Sequence, residues 1–387
     1  MKRKLRIIPI LFALFFLFTI GLLMKGQLDD YSSAPDTRTA SSLGLRVHQL
    51  VEKPFSTNAT IGAIGDILIH DRVYDGAKTS SGYDFRPMLE NVKEHLQKPD
   101  FLIANQESMP GGVELGLSSY PSFNSPHEII DALQDAGVDM VTNANNHSLD
   151  RGEKALNSAI DYYEKVNMPY TGAFKSPEDQ QTIRKFNVNG ISFAVLSYTY
   201  GTNGIPVPAG KDYMVNLIDE QKMIQDIQRV KKEAEVDLVI LGIHWGLEYQ
   251  LLPTDFQQNL AHSLTDVGAD IIFGHHPHVL QPIETRKTAD GRDAVIVYSL
   301  GNFISGQTGD YKDIGGILSL TVEKNITQEG TTITYPDIEF QSTFVAKDPT
   351  YFYKMYSLDQ AKQLGLTYHT VAEINTHMSK YMNMALR

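Results

Sequence analysis

The amino-acid sequence predicts an α/β protein in which a largely parallel sheet is covered by helices on both faces. From Asn58 onward, short apolar runs alternate with amphipathic stretches, a pattern typical of strand–helix–strand units. The predicted strands are Thr60–Gly65, Phe101–Ala104, Met140–Asn143, Leu238–Ile243 and Ile271–Phe273. The predicted helices are Phe85–Gln97, Ile129–Gln134, Glu153–Val166, Ile218–Ala234 and Asp255–Val267.

Two further observations support this fold class. A helix–glycine–strand unit occurs twice, because Leu133–Asp139 matches Leu264–Asp270 with a glycine where each helix ends. Hairpins interrupt the strand–helix alternation, and each is marked by a turn dipeptide that favours positive φ. The dipeptides are Asn189-Gly190, Asp290-Gly291 and Glu329-Gly330. The last stretch, from Ser357 onward, is predicted to be helical and peripheral.

Composition excludes several functional classes. The chain has 387 residues, a formal net charge of -12 and no cysteine. The negative charge argues against a nucleic-acid binder, since a polyanion would be repelled, but it is compatible with cation binding. The lack of cysteine excludes a thiol nucleophile, disulfides and a Cys-ligated zinc site.

The N-terminus predicts a membrane anchor. Lys2, Arg3, Lys4 and Arg6 precede an apolar run, Ile7–Met24, which is just long enough to cross a bilayer core. The positive leading charge predicts a single-pass protein of the cell membrane with its N-terminus cytoplasmic and its bulk extracytoplasmic. We assign residues 1–25 to this anchor and 26–55 to a linker. A cleaved signal peptide is the competing interpretation.

Polar residues follow the predicted strands at regular spacing. Four strands open with an aspartate: Asp100, Asp139, Asp237 and Asp270. Seven residues after the first three lie Glu107, Asn146 and His244; His276 and His278 follow the fourth, and Asp66 follows the first strand of the chain. Because open parallel sheets place their sites beyond the carboxyl ends of the strands, these side chains are predicted to converge there.

The residue types favour a metal site. Asp66, Glu107, Asn146, His244, His276 and His278 form a nitrogen and oxygen ligand set that suits one or two divalent ions such as Mn, Fe or Zn. His276 and His278 would point to one side if that segment were extended. Beside this set, His147 is a candidate proton donor and Asp150 a candidate for orienting it. Taken singly, Asp66 is more often a turn residue and Glu107 a surface carboxylate.

The blocks that carry these residues resemble a known family, the CapA proteins of bacterial capsule and poly-γ-glutamate synthesis. The resemblance covers about Ala59 to Ser305 and is most specific in three blocks. Those blocks are Asn145-Asn-His-Ser-Leu-Asp150, His244-Trp-Gly and Gly274-His-His-Pro-His278.

The resemblance implies a calcineurin-like metallophosphoesterase-type sandwich of mixed sheets flanked by helices, following the N-terminal transmembrane helix. It implies that the six residues above are ligands and that His147 is the catalytic histidine. Residues 56–345 would form this domain and 346–387 a C-terminal helical extension. The phosphoesterase block has a histidine two residues after its first aspartate, whereas Ile67 and Leu68 follow Asp66 here, and His70 need not reach the metal.

Three residues near the same blocks are candidate substrate contacts: Asn302, Glu248 and Trp245. A backbone turn is the alternative interpretation of the segment containing Asn302. Trp245 is the only tryptophan and could equally belong to the core.

The sequence therefore predicts a metal-dependent hydrolase or transferase acting on an anionic surface polymer or a phosphorylated precursor. Two alternatives remain open: a non-catalytic membrane subunit of a polymer synthesis or export complex, and a binding module for an acidic polymer. The membrane and other synthase subunits are the predicted partners, and nucleic acid is not.

Overall fold

The computed structural model describes residues 54–347 and 352–387, which form a mixed α/β fold of two sheets flanked by helices. The strands are β1 (Phe55–Leu68), β2 (Lys78–Thr79), β3 (Gly82–Tyr83), β4 (Phe101–Gln106), β5 (Met140–Thr142), β6 (Tyr170–Thr171), β7 (Lys185–Val188), β8 (Ile191–Thr199), β9 (Leu238–His244), β10 (Ile271–His275), β11 (Leu280–Lys287), β12 (Asp293–Leu300), β13 (Asn302–Ser305), β14 (Ile314–Thr327), β15 (Gly330–Lys347) and β16 (Tyr353–Ser357). The helices are α1 (Asp71–Gly76), α2 (Arg86–Leu89), α3 (Lys93–Leu96), α4 (Glu128–Ala136), α5 (Gly152–Lys165), α6 (Pro177–Gln181), α7 (Glu220–Ala234), α8 (Asp255–Asp266), α9 (Leu358–Gln363) and α10 (Val371–Met378).

Each sheet combines a parallel centre with antiparallel strands. The first sheet has the order β16-β15-β14-β1-β4-β5-β6, with β13 paired to the end of β1. The second has the order β11-β12-β10-β9-β8-β7. In both, the parallel strands run side by side, so their carboxyl ends share one edge.

Alternating side chains fill three apolar layers. In β4, Phe101 and Ile103 face the second sheet, while Leu102 and Ala104 face the helices outside the first sheet. In β9, Leu238 and Ile240 face inward and the intervening residues pack on α7 and α8. This period of two decides which polar residues reach the space between the sheets at the end of each strand.

The structure confirms the predicted strands, hairpins and most helices. Asn189 and Gly190 have φ values of +52° and +83°, as a type I′ turn requires. The predicted helix Phe85–Gln97 is divided, with a 3-10 turn between α2 and α3.

Two predicted segments at the chain ends are not confirmed in the same way as the strands and hairpins. The C-terminal extension is helical only after Ser357, because its described residues before that point are the end of β15 and the strand β16, which pairs with β15. It is also less peripheral than predicted, since Leu358, Ala361 and Ile374 join the core between the sheets. The predicted anchor and nearly all of the linker lie outside the described residues. Within 54–347 and 352–387, no helix is long and apolar enough to span a membrane.

The four aspartates that open strands hold the register of the parallel strands. Each carboxylate accepts a hydrogen bond from a backbone N–H of the neighbouring strand, at 2.8 Å in every case. The pairs are Asp100 with Thr60, Asp139 with Leu102, Asp237 with Ser192 and Asp270 with Val239. Because these bonds fix where each strand begins, they also fix where it ends.

The Asp139→Ala variant tests this role. It leaves the Leu102 N–H without its acceptor, so we expect the free energy of unfolding to fall by about 1–3 kcal/mol. Asp135→Ala is the matched control, because its carboxylate forms a surface ion pair with Lys93 and should contribute only about 0–1 kcal/mol. Urea unfolding measures both variants. Equal losses would show that the aspartate bond is not special.

Candidate metal centre and catalytic dyad

The predicted ligands come together at the shared carboxyl edge of the two sheets. Asp66, Glu107, Asn146, His244, His276 and His278 are all buried there. Glu107 comes directly after β4 and continues the inward-facing side of that strand. His244, at the end of β9, lies on the inward-facing side of its own strand. A bulge after Ile64 moves Asp66 onto the same side, and Gly65 permits it, since a Cβ there would lie 2.0 Å from the Gly301 carbonyl oxygen.

Glu107 lies at the centre of the cluster. Its Oε1 is 3.5 Å from His244 Nε2 and 3.7 Å from His278 Nε2. Ligand atoms of Glu107, His276 and His278 all lie within 4.8 Å of one another. Among the described residues, neither Glu107 oxygen nor His276 Nδ1 has a hydrogen-bond partner. Buried polar atoms without a hydrogen-bond partner are unfavourable unless a cation binds them, so these residues fit a divalent metal ion.

Asp66 contacts the segment His275–His278, which we call the histidine loop. Its Oδ2 lies 3.1 Å from His278 Nδ1 and accepts the His276 backbone N–H at 3.3 Å. Its Oδ1 accepts from Asn105 Nδ2 at 2.8 Å and lies 3.3 Å from His275 Nδ1. Burial alone would raise the pKa of Asp66, but the two imidazoles hold it well below its usual value.

The histidine loop is not extended, which corrects one expectation. His276 and His278 have φ values of +97° and +58°, in the left-handed region that non-glycine residues rarely adopt. Their rings nevertheless stay together, with centroids 5.8 Å apart. Such strain is tolerated where the surroundings fix it, as at binding sites.

Asn146 and His244 complete the cluster on one side. His244 Nε2 lies 2.9 Å from Asn146 Oδ1, and its ring is 4.9 Å from that of His276. Burial holds the pKa of His244 well below its usual value, so the imidazole is neutral and able to act as a ligand. Asn146 and His276 thus both lie beside His244.

His147 and Asp150 form a buried dyad beside the cluster. His147 Nδ1 lies 2.7 Å from Asp150 Oδ2, which also accepts the Phe123 backbone N–H at 2.7 Å. Asn203 Nδ2 is 3.3 Å from the same ring nitrogen. Asp150 thus fixes the tautomer with the proton on Nδ1, and it leaves Nε2 for proton transfer.

A cavity of about 390 Å³ opens beside these residues. Its walls include His147, His278, His70, Arg72 and Glu248. Glu248 is exposed at the mouth, where the sequence predicted a substrate contact. His70 therefore lines the same cavity, although it is not part of the ligand cluster.

The other two predicted substrate contacts have different roles. Asn302 is fully buried, with Oδ1 at 3.1 Å from His278 Nδ1 and its amide donating to the Lys312 carbonyl, so it positions a histidine. Trp245 is also fully buried and donates from Nε1 to the Tyr298 carbonyl in the outer core. The substrate-contact prediction for Trp245 is wrong, because strand alternation turns it away from the face of His244.

Sequence reasoning missed several residues of the site. Asn105 contacts both Asp66 and His244, and it could have been found two residues before Glu107 on the same face of β4. Tyr200 follows β8, and its ring lies 4.6 Å from that of His276. Tyr200 obeys the same strand-end rule as the predicted ligands, whereas Asn203 lies in an irregular loop that carries no sequence signal.

The chain is similar to proteins of capsule synthesis. The family described as "Bacterial capsule synthesis protein PGA_cap" matches residues 60–307. The capsule biosynthesis protein CapA of Bacillus anthracis is 30% identical over 256 residues, which cover 64% of this chain and 60% of that protein. The PGA biosynthesis protein CapA of Bacillus subtilis (strain 168) is 36% identical over 202 residues, which cover 52% of this chain and 51% of that protein. The chain thus spans little more than half the length of the curated relatives it matches.

Similarity to solved structures is weaker. NAD nucleotidase (NadN) of Haemophilus influenzae aligns with a TM-score of 0.44 and 14% identity, covering 86% of this chain and 57% of that one. This similarity is too weak to indicate an activity.

Metal affinity is expected to rise with pH. Burial raises the pKa of Glu107 to about 8 in the metal-free protein. Burial opposes charging of His278, but the Glu107 and Asp66 carboxylates raise the pKa of its imidazole to about 9. This pair therefore retains a proton at pH 7 that a cation must displace. We expect affinity for Mn²⁺ to increase between pH 7 and 9, by up to about 10-fold per unit for each proton displaced.

Titration calorimetry in buffers of different ionisation enthalpy measures this affinity and the protons released. The Glu107→Gln variant should bind Mn²⁺ weakly, whereas the surface control Glu323→Gln should behave as the natural protein does. An affinity that does not change with pH would contradict this displacement of a proton.

Proposed function

The chain belongs to the bacterial capsule synthesis protein PGA_cap family. We propose that it is a metal-dependent hydrolase or transferase of capsule or poly-γ-glutamate biosynthesis. Its substrate would be an anionic surface polymer or a phosphorylated precursor. The observation that carries this proposal is the buried Glu107 carboxylate, which has no hydrogen-bond donor among the described residues and faces three imidazoles.

The ion would be held by residues that already lie together. Glu107, His276 and His278 are its nearest set of donors, with His244 and Asn146 adjoining them. A bound divalent ion supplies Lewis-acid polarisation of a phosphoryl or acyl oxygen. Asp66 and Asn302 orient His278, since both approach its Nδ1 at 3.1 Å and leave Nε2 directed toward Glu107.

His147 would transfer a proton to the leaving group. Its Nδ1 is engaged by Asp150, and its ring lies on the cavity wall with Nε2 remaining. The Asp150 carboxylate would stabilise the imidazolium form during transfer, as in other carboxylate–histidine pairs. The burial of both side chains excludes water from this hydrogen bond.

Two structural proposals accompany the function. We propose that the fold is of the calcineurin-like metallophosphoesterase type. The two sheets flanked by helices, with the candidate site at their shared edge, support this proposal. We also propose that residues 1–25 anchor the protein in the cell membrane, with the domain extracytoplasmic. The basic residues before the apolar run Ile7–Met24 support this orientation.

A non-catalytic subunit of a synthesis or export complex is the second candidate. Ile67 and Leu68 are buried apolar residues, so the segment after Asp66 adds no nitrogen ligand. Within the described chain, one cluster of three His or carboxylate residues meets the spacing for a metal. That arrangement favours a single ion, which a structural role would also explain.

Replacing His147 with Ala separates the two candidates. If the dyad transfers a proton, hydrolysis of p-nitrophenyl phosphate and polymer output in cells should fall by about 10²- to 10⁴-fold. Metal content, measured by elemental analysis of the purified protein, should not change. His262→Ala is the matched control, since His262 lies half-exposed beside Glu284.

Full polymer output from His147→Ala would favour the non-catalytic role. A purified protein that retains no transition metal would remove the proposed hydrolase altogether.

A further inference from the structure

Arg72 lies on the wall of the cavity that contains His147 and His278, and no other residue of that wall is a lysine or arginine. Six of the eight arginines in the described ranges form ion pairs with carboxylates. Arg151 has none but donates to backbone carbonyls and a serine. Arg72 has no carboxylate within 4 Å in the described part of the chain, in a protein whose net charge is -12.

The guanidinium is held by the Gly306 carbonyl and lies in hydrogen-bonding range of the Tyr353 side chain. Arg72 Nε donates to the Gly306 carbonyl at 2.8 Å, and the Gly306 N–H in turn lies 3.2 Å from His70 Nδ1. Gly306 is required for this arrangement, because a Cβ there would lie 2.5 Å from Arg72 Nε and 2.8 Å from His70 Cβ. The loop and Tyr353 thus orient Arg72, and its guanidinium has five N–H donors, more than these described contacts use.

The nearby acidic groups do not neutralise Arg72. The Asp71 carboxylate accepts the backbone N–H of Arg72 at 2.8 Å and lies 3.4 Å from Ser119 Oγ, so it is engaged away from the guanidinium. Glu248 stands on the cavity wall without an ion pair to Arg72. The two outer nitrogens of a guanidinium form a fork that matches a carboxylate or a phosphate.

We propose that Arg72 forms a second anion-binding site in the cavity, so that the ligand of the metal cluster carries a further carboxylate or phosphate group. The anionic group at the metal cluster is inferred from the proposed function. The second anionic group is inferred from Arg72 alone. A molecule with one anionic group would fill only the metal side, whereas one with two would span the cavity.

Three probes test the proposal on the full-length protein loaded with Mn²⁺: phenyl phosphate, 4-carboxyphenyl phosphate and 1,4-phenylene bisphosphate. Calorimetry gives the affinity, and phosphate release gives the rate. We expect at least one doubly anionic probe to bind about 10- to 100-fold more tightly than phenyl phosphate, as charge-assisted hydrogen bonds allow. The preferred probe identifies the second group as carboxylate or phosphate.

Arg72→Gln should abolish this preference, because the doubly anionic probes should lose more affinity than phenyl phosphate does. Arg86→Gln is the matched control, because Arg86 pairs with Asp84 on the surface and should keep the preference. Arg72→Lys retains the charge without the fork and should keep only part of it.

The outcomes separate the two proposals. Binding that depends on Arg72 without release of phosphate from any probe would support the anion site and count against the proposed hydrolase. Equal affinity for all three probes, a preference that survives in Arg72→Gln, or no binding of any probe would overturn the anion site.

Discussion

The carboxylate of Glu107 lies buried among the imidazoles of His244, His276 and His278, and neither oxygen accepts a hydrogen bond from a described residue. A buried, unpaired carboxylate is unfavourable by itself, and the protein can relieve it by protonation or by binding a cation. This constraint explains why the pKa of Glu107 is raised, and burial likewise lowers the pKa of His244 and His276 and keeps those two imidazoles neutral.

The surrounding polar residues make sense as supports for that arrangement. Asp66 and Asn302 fix one nitrogen of His278, and Asn105 links Asp66 to the side of His244. Each of these contacts satisfies a group that would otherwise be buried without a partner. Asp66, Asn302 and Asn105 thus orient the imidazoles. The Glu107 oxygens and His276 Nδ1 at the centre have no hydrogen-bond partner among the described residues.

The opposite edge of the sheets contributes to the site from a distance. The carboxylates at the strand starts fix the register of the parallel strands, and the register decides which residue stands at each strand end. On the other side of the cluster, His147 of the dyad and Arg72 share one cavity with His278. The proposed proton transfer, metal binding and recognition of a second anion would therefore act on one molecule.

Local pattern in the sequence was enough to predict the strands, the hairpins and the edge where Glu107, Asn146 and His244 meet. The period of strands and helices, together with the spacing from each opening aspartate, is set by backbone geometry that neighbouring residues determine. The same period, applied one residue further, would have placed Trp245 in the outer core. Neighbouring residues along the chain therefore encode the layers of the protein and the sheet edge that carries its site.

The finer features of the site arise from contacts that form when the chain folds. The left-handed backbone of His276 and His278, which Asp66 contacts, depends on segments far apart in the chain. So do the approach of Asn203 to His147 and the approach of Arg72 to Gly306. Such contacts follow from the packing of two sheets and their loops. Short-range preferences do not encode that packing, because each loop takes its shape from the neighbours it meets after folding.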